Sequence, residues 1–252
     1  MNIHLHTICY NERDLMEIAI KYWQSSVDHV FVYLMNSSND GSKEFLSKYR
    51  NYISVINIKD DNEFNDARNI YIKNNCWKAS RGKADFVIVT DFDEFIYAKD
   101  IIKELEYMKK NSMTIVAPEV YHLMSKDNII SELNSEKYLH EQVTAGFYEP
   151  KFGKYCIFDP NAIEEINYLP GAHQCNPIGK VKYYDRHKIF LFHAKYLGEE
   201  RFVNRLNTCG TRLSQLNIEN NWGVEYRFKE EAKRKIFNDK FDNCVNIRGK
   251  IL

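Results

Sequence analysis

The sequence predicts a single α/β domain built on a mostly parallel sheet flanked by helices, with a less regular C-terminal half. Two observations lead to this prediction. In the first hundred residues, short apolar runs alternate with segments of helical periodicity, which is the order of a parallel βα sheet. From residue 125 to residue 184, the sequence becomes polar, aromatic and interrupted by glycines.

Four strands are predicted in the first half, because each apolar run is followed by polar or turn-forming residues. They are Ile3–Cys9, Val30–Met35, Ile53–Ile58 and Phe86–Thr90. Helices are predicted between them, the first from about Glu12, the second around Phe45–Tyr49 and the third over residues 65–80. The resulting order βαβαβαβ builds a parallel sheet with helices on its faces.

The second half is predicted in less detail. Residues Ile101–Met108 show helical spacing, and Thr114–Pro118 and Ile189–His193 are candidate strands. The remainder of the chain is polar and helical in pattern. There are no internal repeats and no low-complexity linker, so we expect one domain over residues 1–252.

The composition narrows the class of protein. Lys plus Arg and Asp plus Glu each number 35, so the net charge is zero and a nucleic-acid partner gains no support. The six cysteines are scattered without a closely spaced pair, which favours reduced thiols over disulfides or structural zinc. No apolar stretch is long enough for a membrane span or a signal peptide, so we expect a cytoplasmic protein.

Polar residues follow three of the predicted strands at the point where each strand ends. These tails are Cys9–Glu12, Asn36–Gly41 and Thr90–Glu94. Since ligands of open α/β sheets bind outside the carboxyl ends of the strands, we expect the tails to meet at one edge. Asp91 and Asp93 are separated by one residue and can both face a divalent cation such as Mg²⁺ or Mn²⁺. The alternative for this acidic pair is a solvated turn.

Four short motifs occur in order over the first hundred residues. They are Asn11-Glu12, Ser38-Asn39-Asp40-Gly41-Ser42, Ala67-Arg68-Asn69 and Asp91-Phe92-Asp93-Glu94. In this order they resemble the family 2 glycosyltransferases and their relatives in bacterial capsule and lipopolysaccharide assembly. Two later segments, Pro170–His173 and Phe192–Gly198, are similar to segments of the same wider group. The resemblance is strongest up to Tyr97 and implies the GT-A fold, a Rossmann-like sheet that binds nucleotide-diphospho-sugars.

The resemblance also implies roles for individual residues. Residues 1–97 would form the nucleotide-sugar-binding half, and residues 98–252 the acceptor-side half with the C-terminal helices. The residues implied in donor binding are Cys9, Tyr10, Asn11, Glu12, Asn36, Asp40, Arg68, Asp91 and Lys195. Asp91 and Asp93 would bind Mn²⁺ or Mg²⁺, which stabilises the diphosphate leaving group as a Lewis acid. One departure is Asn36, which stands where many relatives carry Asp.

Two histidines in the C-terminal half are candidate site residues. By the resemblance, His193 completes the metal shell and Lys195 contacts the diphosphate, whereas the alternative for His193 is a hydrogen-bonded residue at a strand end. His173 competes with His193 as a metal ligand, and it could also line the acceptor site or act as a base. Inverting relatives use a carboxylate as the base that activates the acceptor. The candidates here are Glu94, Glu119, Asp159 and His173, of which His173 and Glu94 rank first.

The sequence therefore predicts a metal-dependent transferase that moves a sugar from a nucleoside diphosphate sugar, UDP-linked above all, to a glycan or lipid-linked acceptor in surface polysaccharide synthesis. A sugar nucleotidyltransferase is an alternative, but Tyr10–Arg13 lacks its Gly-rich phosphate loop. A non-catalytic glycan-binding module is another, and the intact acidic pair disfavours it. The basic stretch Arg227–Lys235 is a candidate peripheral contact for the inner face of a membrane, but interspersed glutamates favour a solvated helix face.

Overall fold

The computed structural model describes residues 1–150 and 153–251, whose elements alternate in βα order at first. The strands are β1 (Ile3–Cys9), β2 (His29–Met35), β3 (Ile53–Ile58), β4 (Phe86–Asp91), β5 (Glu94–Tyr97), β6 (Ile115–Val116), β7 (Glu119–Ser125), β8 (Ala145–Tyr148), β9 (Ile157–Phe158), β10 (Ile163–Glu165), β11 (Ile178–Gly179), β12 (Phe190–Leu197) and β13 (Val245–Asn246). The helices are α1 (Met16–Ser26), α2 (Ser42–Leu46), α3 (Asp66–Asn75), α4 (Ile101–Lys110), α5 (Leu139–Gln142), α6 (Glu199–Thr211), α7 (Gln215–Glu219), α8 (Glu230–Phe241) and α9 (Arg248–Ile251).

Four parallel strands form the half of the central sheet that carries the site. Their order is β3-β2-β1-β4, and β9 and β6 extend the sheet beyond β4 through antiparallel pairs. Strands β1 and β4 are buried on both faces, which is typical of a parallel sheet covered by helices. The four predicted strands and their parallel arrangement are confirmed, although the strand predicted over Thr114–Pro118 shortens to β6.

Helix α1 covers the sheet next to the acidic turn between β4 and β5. Tyr22 stacks on Phe95 with 4.8 Å between the ring centroids, and Trp23 meets Phe92 edge-on at 5.1 Å. Phe92 lies within the acidic turn, and Phe95 follows it directly. Because both rings are held by α1, the backbone of the turn is fixed by core packing.

The helix predicted over residues 65–80 is shorter in the structure. Helix α3 ends at Asn75, and a 3-10 turn follows over Cys76–Ser80. Trp77 lies in this turn and is fully buried, and its ring meets Phe158 edge-on at 4.9 Å. The tighter winding accompanies the burial of the indole, and helical periodicity alone does not reveal that change.

A second sheet, of order β13-β8-β7-β12-β5, was not predicted from the sequence. Its strand β7 mixes polar and apolar residues, yet His122 on this strand is only 1% exposed because the neighbouring elements bury it. The strand predicted over Ile189–His193 continues to Leu197, since β12 keeps pairing with β7 beyond a register shift between His193 and Tyr196.

The structure also bears on membrane contact. Within residues 1–150 and 153–251, no helix is both long and apolar enough to cross a membrane. In the basic stretch predicted as a candidate membrane contact, Arg234 pairs with Glu200 and Glu230, and Lys233 is buried. Arg234 is therefore neutralised by glutamates at the surface, as expected for a solvated helix face, whereas Lys233 is buried and departs from that expectation.

Candidate active site

The polar strand tails meet at the carboxyl edge of the parallel strands, around a cavity of about 750 Å³. Small-molecule sites in proteins span roughly 300–1,000 Å³, so this cavity has the size of a ligand site. The predicted site residues that line it are Tyr10, Asn11, Glu12, Arg68, Asp91, Asp93, His173, His193 and Lys195. Residues from both halves of the chain therefore converge on one site.

Side-chain hydrogen bonds tie the tails of β1 and β2 together. Asn11 adopts a positive φ of 50°, and its Nδ2 donates to Asn39 Oδ1 at 3.0 Å. Asn11 Oδ1 accepts from the backbone N–H of Asn39 at 2.8 Å. Asp40 holds the same junction, because its carboxylate accepts from the backbone N–H groups of Arg13 and Ser42. Asp40 therefore fixes the loop, and its predicted contact with the donor is not supported.

Asp91 ends β4 between two lysine ammonium groups. Its Oδ1 lies 2.7 Å from Lys73 Nζ, and its Oδ2 lies 2.6 Å from Lys154 Nζ. Lys154 also lies 2.6 Å from Glu94 Oε1, and Glu94 Oε2 accepts from the backbone N–H of Asp91. Burial raises the pKa of Asp91, but Lys154 and Lys73 outweigh burial and hold that pKa well below its usual range. Asp91 is therefore the ionised counter-ion of two buried lysines.

Asp93 is 1% exposed, and only one of its carboxylate oxygens is engaged. Its Oδ2 accepts from His193 Nε2 at 2.9 Å and lies 3.2 Å from Arg205 Nη2. Burial raises the pKa of Asp93, but Arg205 and then His193 outweigh burial and hold it well below its usual range. The other oxygen, Oδ1, has no hydrogen-bond partner among the described residues. A buried carboxylate oxygen without a donor indicates a place for a ligand.

An ion-pair chain links the end of β1 to α6. Arg205 Nη1 lies 2.7 Å from Glu12 Oε1, so Arg205 bridges Glu12 and Asp93. Arg201 lies one helical turn earlier and pairs with Glu12 at 3.4 Å and with Asp14 at 2.8 Å. The acidic turn, the end of β1 and α6 are thus joined through charged side chains, and the predicted donor residue Glu12 is already paired.

Asp93 fits a divalent cation better than Asp91 does. Over residues 1–150 and 153–251, no group of three or more His, Cys, Asp or Glu side chains forms a ready metal cage. Mg²⁺, however, is commonly held by one or two carboxylates together with waters and substrate phosphates, and Asp93 Oδ1 matches that requirement. Both oxygens of Asp91 face ammonium groups, so its predicted role as a ligand is not supported. His193 bonds to Asp93, so it orients the carboxylate that would hold the ion.

Three further predicted site residues lie outside the cavity wall. Cys9 is fully buried behind the end of β1, and burial raises the pKa of its thiol well above the ordinary value. Asn36 is exposed in the turn after β2, and its backbone N–H donates to Ile58 O. Glu94 is 4% exposed, and both of its carboxylate oxygens are engaged as described above. Glu94 therefore holds Lys154 and the backbone of Asp91 and does not line the cavity, while its predicted role as a base stays a prediction.

The aromatic ring of Tyr10 and the guanidinium group of Arg212 form one wall of the cavity. The guanidinium carbon of Arg212 lies 3.4 Å from the centroid of the Tyr10 ring. Arg212 Nη2 also lies 2.9 Å from Asp60 Oδ2, and Asp60 Oδ1 accepts from the backbone N–H of Ser37. Arg68, on the same wall, donates to the backbone carbonyls of Asp60 and of a second loop residue. These contacts hold the wall rigid.

Lys195 lines the cavity in a different way from the paired cations. Lys195 Nζ lies 5.7 Å from the Tyr196 ring and 5.9 Å from the Phe202 ring, and it forms no ion pair with any described residue. Burial lowers the pKa of Lys195. His173 also lines the cavity and lies two residues after Gly171, whose positive φ of 80° favours glycine. A side chain at 171 would also approach the His173 ring, because an added Cβ would lie 3.0 Å from Cδ2.

Several cations of the site were missed from the sequence. They are Lys73, Lys154, Arg201, Arg205 and Arg212, all of which line the cavity. Arg201 and Arg205 carried a usable signal, because their i,i+4 spacing on a predicted helix puts them on one face. Lys73 lies on α3 and Lys154 in an irregular segment, and neither position shows a local pattern that indicates its tertiary partner.

A cavity at the carboxyl edge of a parallel sheet, walled by charged residues, places the chain among the α/β proteins that bind ligands at the ends of their strands. A family model narrows this class: the model described as glycosyltransferase family 92 matches residues 6–232. The chain belongs to glycosyltransferase family 92. The predicted membership in a glycosyltransferase family is confirmed, and the matching family is family 92 instead of the family 2 that the motifs resemble. Among curated proteins, none matches the chain by sequence.

Solved structures of S. aureus TarS are similar to the chain at low identity. One TarS structure is 14% identical with a TM-score of 0.41, and the match covers 92% of this chain and 41% of that one. The 1–349 portion of TarS in complex with UDP-GlcNAc is 14% identical with a TM-score of 0.41, covering 95% of this chain and 71% of the other. The same portion in complex with UDP is 15% identical with a TM-score of 0.39, covering 95% and 70%. This chain thus spans less than half of the longer TarS chain.

Proposed function

We propose that this glycosyltransferase moves a sugar from a nucleoside diphosphate sugar, a UDP-sugar in the first instance, to a hydroxyl group of a glycan or lipid-linked acceptor. One observation carries the proposal. The cavity at the ends of β1 and β4 combines a buried carboxylate oxygen of Asp93, unpaired within the described chain, with a set of buried cations. This pairing of charges suits an anionic donor whose leaving group must be neutralised.

The donor would lie along the cavity with its nucleoside near Tyr10 and its diphosphate near the cations. Tyr10 and Arg212 supply an aromatic and planar wall, against which a base can stack. Lys195, which lacks an ion pair within the described chain, suits a phosphate oxygen. Arg68 is held by loop carbonyls, so its guanidinium is preorganised at the same wall.

Mn²⁺ or Mg²⁺ is part of the proposal, with Asp93 as the protein ligand. Oδ1 of Asp93 is the oxygen that would hold the ion, while His193 and Arg205 keep the carboxylate oriented through Oδ2. When bound, such an ion supplies Lewis-acid stabilisation of the diphosphate leaving group. Asp91 stays paired with its two lysines, and water and donor phosphates would supply the other ligands of the ion.

His173 is proposed as the base that accepts the proton from the acceptor hydroxyl. It lines the cavity after the turn Pro170–Ala172, and an imidazole suits proton transfer near neutral pH. Glu94 is not proposed, since its carboxylate is buried and engaged. A base on the face opposite the leaving group corresponds to inversion at the anomeric carbon.

The biological setting of the proposal comes from the resemblance to capsule and lipopolysaccharide enzymes. It comprises surface polysaccharide synthesis, a cytoplasmic location and a peripheral contact at the inner face of the membrane. Because Arg234 is neutralised by neighbouring glutamates, we do not assign that contact to the basic stretch of α8.

A donor screen followed by a turnover assay tests the proposed function. Thermal unfolding would be measured with UDP-, GDP-, CMP- and dTDP-sugars in Mn²⁺, since a ligand at about 100 times its Kd adds about 2.7 kcal/mol of stability. We expect one class of donor, UDP-linked, to stabilise the protein, and mass spectrometry to detect the free nucleoside diphosphate once an acceptor glycan is added. Stabilisation without nucleotide release from any donor would favour a binding module. Absence of stabilisation by every donor would contradict the proposal.

A further inference from the structure

Lys73 carries a buried ammonium group with more N–H donors than it has acceptors in the described part of the chain. It lies on α3, is 5% exposed, and its Nζ lies 2.7 Å from Asp91 Oδ1. An ammonium group carries three N–H donors, and Asp91 is the one acceptor that Lys73 contacts in the described part of the chain. Buried donors without acceptors cost free energy, so their presence in a cavity wall indicates an absent acceptor.

Lys154 differs from Lys73 in this respect. It bridges Asp91 and Glu94 at 2.6 Å each, which uses two of its donors and fixes its position. The two lysines and the two carboxylates balance in charge, and within the described residues Lys73 keeps two donors that are not engaged, whereas Lys154 keeps one. Lys154 is therefore suited to hold Asp91 in place, and Lys73 to face a ligand.

The position of Lys73 is set by both ends of the segment that contains it. The N-terminus of α3 is capped by Asn65, whose side chain accepts from the backbone N–H of Arg68. Asp66 in the first turn is anchored by Asn217, which donates to its carboxylate at 2.8 Å. Because α3 is fixed at its start and Asp91 holds the ammonium at its other end, Lys73 is aimed before any ligand arrives.

We propose that Lys73 binds the diphosphate of the donor directly, with Asp91 and Lys154 as the residues that position it; this rests on the proposed function. A lysine ammonium is a compact point charge that binds phosphate oxygens well. Lys195 lines the same cavity without an ion pair in the described chain, so a second cation is available for the same group. A diphosphate is the part of a nucleotide sugar that can accept from both. This contact would hold the diphosphate in the absence of a metal ion, and an ion held by Asp93 would add Lewis-acid stabilisation to the same leaving group.

The competing explanation is that Lys73 serves only as a counter-ion for Asp91. In that case its removal would weaken every ligand equally, through a disturbed wall. Comparison of UDP with uridine separates the two, because only UDP carries the diphosphate. Isothermal titration in EDTA, repeated in Mn²⁺, would give the Kd of each ligand for the wild type and for Lys73→Met.

Lys73→Met is expected to raise the Kd for UDP about tenfold or more in EDTA while changing the Kd for uridine less than about twofold. Lys78→Met is the matched control, since Lys78 pairs with Glu165 and lies outside the cavity wall. If Lys73→Met does not fold, the charge-balanced variant Lys73→Met/Asp91→Asn keeps the Lys154–Glu94 pair and should show the same selective loss.

Unchanged UDP affinity in either variant, or an equal loss of affinity for UDP and uridine, would overturn this inference and leave the proposed function intact. UDP binding by the wild type that requires Mn²⁺ would overturn it as well. Failure of the wild-type protein to bind UDP, GDP, CDP or dTDP in any buffer would instead overturn the proposed function, and the inference with it.

Discussion

His193 Nε2 and Asp93 Oδ2 lie 2.9 Å apart although 100 residues separate them in the sequence. The contact exists because β12 pairs antiparallel with β5, which places His193 opposite Glu94, directly after the acidic turn. The second sheet therefore contributes a side chain to the edge of the first. The predicted neighbourhood of His193 and the acidic pair follows from this register, while its role at the metal stays a proposal.

Removing the His193 imidazole should weaken the binding of Mn²⁺ to the complex of this protein with UDP. The ring orients Asp93 and lies 4.8 Å from the ring of His122, so His193→Phe preserves packing while losing the hydrogen bond. Loss of such an orienting contact typically costs about 10–100-fold in metal affinity. Electron paramagnetic resonance of free Mn²⁺ in saturating UDP measures this, with the exposed His187→Asn as control. Equal Mn²⁺ affinity in the wild type and His193→Phe would contradict the prediction.

Glu94→Gln should lower the free energy of unfolding without removing a catalytic base. Glu94 accepts from Lys154 and from the backbone of Asp91, and removal of one partner of a buried pair costs about 3–5 kcal/mol. Urea unfolding of the variant should show this loss, with the exposed Glu136→Gln as control. The pH dependence of kcat should keep its shape. Full stability combined with a lost acidic limb of the pH profile, the limb that reports a general base, would identify Glu94 as the base.

The Glu12–Arg205 pair should show strong energetic coupling. The guanidinium bridges Glu12 and Asp93, so Arg205→Met leaves two carboxylates with one fewer cation. In a double-mutant cycle with Glu12→Gln, we expect a coupling of about 1–3 kcal/mol in unfolding free energy. The exposed Lys235–Asp239 pair of α8 serves as reference and should give only about 0.3–0.5 kcal/mol. Additive effects at Glu12 and Arg205 would show that the chain of ion pairs does not hold the site together.

Acid should destabilise the protein through His6. Its ring is buried, bonds to Ser80 and Tyr33, and stacks on Phe31, and burial lowers the pKa of His6 to about 3. The unfolded chain takes up a proton near pH 6.5 and the folded one does not, so stability present above pH 6.5 is lost as the pH falls toward 3. At pH 5 this loss is about 2 kcal/mol.

The measurement is the free energy of unfolding in urea at pH 7 and pH 5. The difference between the two values should be smaller in His6→Gln than in the wild type by about 2 kcal/mol. His187→Gln, at an exposed histidine, should behave as the wild type does. An identical pH dependence in His6→Gln and the wild type would show that another group controls acid stability.

A strand could be predicted when its own sequence pattern marks it as buried, and could not when only its tertiary neighbours bury it. Strand β4 opens with the continuous apolar run Phe86–Val89, and β1 alternates apolar residues with His4 and His6, so the sequence alone indicated the bounds of both strands to within a residue. Strand β7 could not be found in this way, because His122 is buried by tertiary packing and breaks the apolar pattern. The same holds for the end of β12, where Lys195 interrupts the run although the backbone continues to pair.

For the site, the sequence indicated the acidic pair and the convergence of strand ends but not the cations that surround them. Asp91 and Asp93 follow a recognisable strand, whereas Lys73 and Lys154 reach Asp91 from a helix and an irregular segment. Long-range ion pairs have no local signature, because either partner alone resembles a surface charge. The ion pair of Glu94 with Lys154 was likewise not indicated by the sequence.

The central claim is that Asp93 lies at the reaction centre of a sugar transferase. The most direct measurement is the initial rate of nucleotide release from the donor found in the screen, in saturating Mn²⁺, for the wild type and Asp93→Asn. Asp239→Asn, on the outer surface of α8, is the matched control. We predict that kcat falls at least about 100-fold in Asp93→Asn, while the control stays at the wild-type rate and both variants remain folded. A folded Asp93→Asn protein that turns over within about threefold of the wild type would contradict the account.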